Sequence, residues 1–99
     1  MSPLHEDTLK RIEILFPKNL QPQITDALLN DCAKGILPST LEELERIRIA
    51  VLKLSGGNLK DFQSAISLSQ IDWRDVLLSA GFGSDVNAHK HWHPKTKMS

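Results

Sequence analysis

The residues best able to do chemistry gather near the C-terminus. His89, His91 and His93 alternate around Trp92, with Lys90 between them and Asp85 just before. On a helix, Asp85, His89 and His93 fall at i, i+4 and i+8, which puts one carboxylate and two imidazoles on one face. Two histidines one turn apart can chelate a divalent metal through neutral ring nitrogens. The competing reading is a set of solvated histidines on a fraying helix end, and Pro94 favours it by ending the helix almost at His93.

The other reactive candidates are fewer. Cys32 is the only cysteine, so neither an intramolecular disulfide nor a thiolate zinc site is possible within one chain. It falls on the apolar side of a helix pattern, where a buried and inert thiol is expected. No HExxH, GxSxG or P-loop pattern occurs. Ser55-Gly56-Gly57-Asn58 reads as a helix end and linker rather than a phosphate loop. There is also no calcium-binding loop, no Glu-x-x-His pair and no Asp-Ser-Leu carrier site. An enzyme is the class least expected, and no cofactor is expected.

A further group has the texture of an interface. Trp73, Arg74, Phe82 and Trp92, with Lys90 beside the last, are residue types that dominate binding energetics. The bland alternative is that Trp73 and Phe82 simply fill a core. Residues 58–80 read as helix, turn, helix, but the second helix opens Asp72-Trp73-Arg74-Asp75. Two carboxylates there repel phosphate, so DNA reading is not expected.

These groups need elements to hold them, and the whole chain carries helical periodicity. Leu9, Ile12 and Phe16 mark a first helix over about 6–16, closed by Pro17. Ile24, Leu28 and Cys32 mark a second over about 24–34, with Thr25 as its cap and Gly35 after its end. Ile36-Leu37-Pro38 is an apolar connector expected to pack on the core. The third helix, about 40–55, opens on a capping box of Ser39 or Thr40 with Glu42 or Glu43. Its stripe of Leu44, Ile47, Val51 and Leu54 is widened by Ile49, Ala50 and Leu52, which marks a central helix. Asn58 starts a fourth helix to about 69, Asp72 a fifth, and Ser84 a sixth reaching about Trp92.

The expected fold is therefore all-α: a single small bundle of five to six short helices, packed irregularly or orthogonally around the helix at 40–55. One domain over 1–94 is expected, with a soft seam at 56–57 and a flexible basic tail at 95–99. The 99 residues hold 15 Leu and 8 Ile, enough for a core, and equal numbers of basic and acidic groups, 12 each. The balance is segregated: from residue 86 onward there are three lysines and no acid. No secretory leader or membrane span is visible, so a cytoplasmic location is expected.

The functional expectation is a small non-enzymatic protein acting through contact with an unidentified protein partner or with itself as a dimer. The apolar third helix is one candidate for a shared two-fold seam. The alternative is a divalent-metal, phosphate or nucleic-acid binder using the C-terminal His/Lys segment, although nucleic acid is disfavoured by the charge count. No membrane partner is expected.

Overall fold

A computed structural model describes residues 4–36, 38–83 and 87–94. Among them are five helices and no strand: α1 (Glu6–Leu15), α2 (Gln21–Asn30), α3 (Leu41–Ser55), α4 (Leu59–Ser79) and α5 (Ala88–His91). The all-α bundle expected from the periodicity is what forms.

Each boundary has a local cause. Pro17 forces Phe16 into the extended region, at φ −124° and ψ 145°, and α1 stops. Proline also starts α2. Pro22 sits in its first turn, where its missing N–H costs nothing, so the helix begins at Gln21 and Thr25 lies inside it rather than capping it. Thr40 is extended and its Oγ1 accepts the Glu43 N–H at 3.1 Å, as the capping pattern predicts for α3. Asn58 does the same for α4 through the Asp61 N–H, at 3.0 Å.

The turn after α2 carries an unusual backbone. Ala33 has φ +58°, in the left-handed region that alanine disfavours. It is fully buried, and its N–H donates to the Ser69 Oγ at 3.0 Å, so the conformation is fixed by a residue of α4.

α3 is the centre of the bundle. Every residue from Glu45 to Leu52 is buried, and its largest interface is with α4, with smaller ones to α1 and α5. Its apolar stripe is thus spent inside the chain's own core and is not free for a two-fold partner. Ile12 and Phe16 of α1, Ile24 and Leu28 of α2, and Phe62 and Ile66 of α4 close around it. Phe16 meets Phe62 edge to face, with ring centres 5.9 Å apart.

Gly56 and Gly57 join the two most closely packed helices, so the seam expected there is a tight turn. Gly57 is tightly placed: at φ +85°, a Cβ on it would lie 2.8 Å from the Leu15 carbonyl oxygen. Gly56, at φ +56°, faces open space.

Three further expectations change. The fourth and fifth helices are one element with a kink at Asp72 (φ −157°, ψ 94°), whose Oδ1 accepts the Arg74 N–H at 3.1 Å. Asp72 does cap a helix, but the chain re-enters helix without leaving the element. The sixth helix is only Ala88–His91 among the described residues; its expected start at Ser84 lies outside them, as do Leu37 and the 95–99 tail. Ile36 is exposed rather than packed on the core, and its carbonyl accepts the Trp73 indole N–H at 2.9 Å.

Candidate functional site

The chemically dense region is a buried polar seam where α1, α3 and α5 meet. α3 is apolar on most of its circumference, so the charges in its first half are carried into the interior. There they are paired, as buried charges must be. Glu45 accepts from the Thr8 hydroxyl of α1 through Oε1 and pairs with Arg48 through Oε2, at 3.1 Å. Arg48 Nε then donates to the Leu28 carbonyl of α2 at 3.1 Å. One carboxylate and one guanidinium thereby tie three helices together.

Arg11 and Arg46 serve the other side of the seam. Arg46 pairs with Glu43 at 3.5 Å and donates to the Phe82 carbonyl. Arg11 donates to three carbonyls: Asp7 at 2.8 Å, His89 at 3.1 Å, and Trp92 at 2.7 and 3.0 Å. Its guanidinium carbon also lies 5.9 Å from the Trp92 ring centre. Burial pulls the Arg11 pKa down, while the charges of Asp7 and Glu45 push it back up. One side chain of α1 thus holds α5 and the segment after it.

Beside the seam opens a cleft of about 530 Å³, lined by α1, the first turns of α3, and α5. Arg11, Arg46 and Lys90 line it, but so do Asp7, Glu42, Glu43 and Glu45. The charges nearly cancel and the Arg11 donors are spent on carbonyls, so the cleft presents no strong field to an ionic ligand. His89 also lines it. His89 is only 8% exposed, and its Nδ1 is buried without a hydrogen-bond partner. Its ring packs against Phe82 at 6.4 Å between centres. Its pKa is lowered, first by burial, then by Lys90, Arg46 and Arg11, with Glu45 opposing.

The histidines read as a metal site are not gathered. α5 ends at His91, so His89 and His93 are not neighbours on a helix. His89 is buried while His91 and His93 are exposed. Asp85 lies outside the described residues. No group of three His, Cys, Asp or Glu suited to a metal ion occurs among the described residues.

The residues read as an interface divide. Phe82 is core. Trp92 is half-buried under Arg11, and Lys90 is exposed at the cleft. Trp73 is half-buried, with the exposed Arg74 guanidinium 5.6 Å from its ring centre. The same helix exposes two large aliphatics that the periodicity alone did not mark as exposed: Ile71 at 78% and Leu78 at 66%.

Cys32 is buried as expected. Burial pushes its thiol up to about 12, with the Arg48 charge and the Ser69 hydroxyl pulling the other way. The seam itself was not anticipated. Its one sequence signal was there: charged residues inside a helix apolar nearly all round must be buried, and therefore paired. No helix of the described residues is long and apolar enough to cross a membrane. No protein family, curated protein or solved structure matches this chain, so its site is defined by its own geometry alone.

Proposed function

We propose that this is a non-enzymatic protein that works through protein–protein contact, and that the second half of α4 is its contact surface. The observation that carries this reading is the exposure of Ile71 and Leu78, at 78% and 66%, in a helix whose other residues Val76 and Leu77 are core. Leaving such side chains in water forgoes about 1.5–3 kcal/mol each, which a partner can recover. The first occupant is a second copy of the chain. Arg74 stands between Asp72 and Asp75, and all three are exposed. Across a two-fold axis that order is self-complementary, since each arginine can meet the other copy's carboxylates. The chain's zero net charge adds no repulsion between copies. A free buried Cys32 fits a reducing, cytoplasmic setting.

Sedimentation equilibrium tests this. The wild-type chain should show a concentration-dependent dimer. Ile71→Lys with Leu78→Lys should raise the dissociation constant about 100-fold or more, from two lost burials, with helix content unchanged. Arg74→Glu should weaken the dimer most at low salt. A wild-type chain that stays monomeric at high concentration removes the second copy as occupant.

A further inference from the structure

We propose that α5 and the Trp92 segment form a latch that opens on acidification, with His89 as the group that receives the proton.

The latch is short. α5 has four residues, too few to persist as an isolated helix. Its polar attachments to the bundle include Arg11, which takes the carbonyls of His89 and Trp92 and lies against the Trp92 ring. The apolar attachment includes the His89 ring against Phe82. Both attachments pass through or beside His89.

A proton on His89 acts against both. The charged groups that face it are Arg11 from α1, Arg46 and Glu45 from α3, and Lys90 from α5 itself. Three of these are positive, and Glu45 already bonds Thr8 and Arg48. Asp7 of α1 and Glu42 and Glu43 of α3 line the same cleft and offset part of that charge. His5, exposed, lines the same cleft. An imidazolium at position 89 is opposed first by burial, and its buried Nδ1 has no acceptor to donate to among the described residues. The cleft beside it admits water and protons without opening the core. The strain falls on the short α5 rather than on the α3–α4 interface.

The sign follows from linkage. The latched His89 binds its proton less tightly than the released one, whose ordinary value is 6.5. Closure is complete above that value and weakens as pH falls through it toward the lowered latched value. Over that window the open population rises by up to about tenfold per pH unit. The open form uncovers Trp92 and frees the Arg11 guanidinium.

The two indole N–H resonances of the full chain read this directly, from about pH 8 to about pH 5. The Trp92 resonance should shift toward a solvated indole while that of Trp73 stays, and far-UV circular dichroism should keep its helical signal. In His89→Leu the Trp92 shift should vanish, whereas His5→Gln and the pair His91→Gln, His93→Gln should keep it. A Trp92 resonance that does not move, or one that moves equally in folded His89→Leu, overturns the proposal. So does loss of helix in the same step, which is global unfolding. Should His89→Leu fail to fold, the His89 ring protons of the wild-type chain decide: a titration midpoint that does not coincide with the Trp92 transition overturns the latch.

Discussion

The α1–α3–α5 seam and the end of α4 treat polarity in opposite ways. The seam buries Arg11, Glu45, Arg46, Arg48 and His89, while α4 leaves Ile71 and Leu78 in solvent. The difference lies in what each region holds together. In the seam, Glu45 reaches Thr8 of α1 while Arg11, Arg46 and Arg48 reach carbonyls of other segments, so polar bonds fix how helices are placed. In the second half of α4, Val76 and Leu77 are core while Ile71 and Leu78 stay largely in solvent. A protein of this size has little core to spare, yet Ile71 and Leu78, like Leu41 at the start of α3, are left outside it.

Substitution breaks the comparison most sharply at Glu45. Glu45→Ala leaves Arg48 buried without its carboxylate and Thr8 without its acceptor, and should cost about 3–5 kcal/mol of stability. Leu78→Ala, which removes a similar bulk from an exposed site, should change stability by less than about 0.5 kcal/mol. Urea unfolding of both variants measures the contrast. A cost for Glu45→Ala no larger than that for Leu78→Ala would sink the view of the seam as the joint of the bundle.

The next effect concerns the turn that feeds α4. Gly57→Ala must accept a positive φ and push its Cβ against the Leu15 carbonyl, and should lose about 2–3 kcal/mol. Gly56→Ala meets nothing and should lose about 1 kcal/mol. Equal melting shifts for the two would show that α1 is not braced against the turn.

The smallest effect at neutral pH belongs to Cys32, which lies in the field of Arg48. With its thiol raised to about 12 from 9.0, the fold gains stability that is present below pH 9 and lost as pH rises from there toward 12. The native protein should therefore resist alkylation by iodoacetamide at pH 8, and react at the unfolded rate in denaturant. Rapid native alkylation would place the thiol outside the core.

The two regions were unequally legible in the sequence. α1 and α3 could be read because their signals are local: Pro17 ends one, and Thr40 with Glu43 opens the other. The kink was visible as Asp72, a good cap in a polar gap between apolar runs. α2 was misplaced by three to four residues because Thr25 resembles a cap and Pro22 resembles a linker, yet Pro22 is the better helix opener. The candidate site was harder. Arg11 finds its acceptors in backbone carbonyls some 80 positions away, and a carbonyl carries no residue type to search for. The histidine spacing suggested a shared helical face, but α5 closes before His93 is reached. Ile71 and Leu78 were hidden by their type, since an aliphatic in a helix pattern reads as core until packing shows otherwise.

Ala33 carries a last consequence. Its left-handed backbone costs about 1–2 kcal/mol locally, and the bond that offsets this comes from Ser69, across the bundle. The turn after α2 is therefore not encoded by the residues that form it. A peptide of α2 and its turn, cut from the chain, would lack Ser69 and have no reason to keep that shape. During folding, the chain can settle this corner only after α4 has arrived beside it.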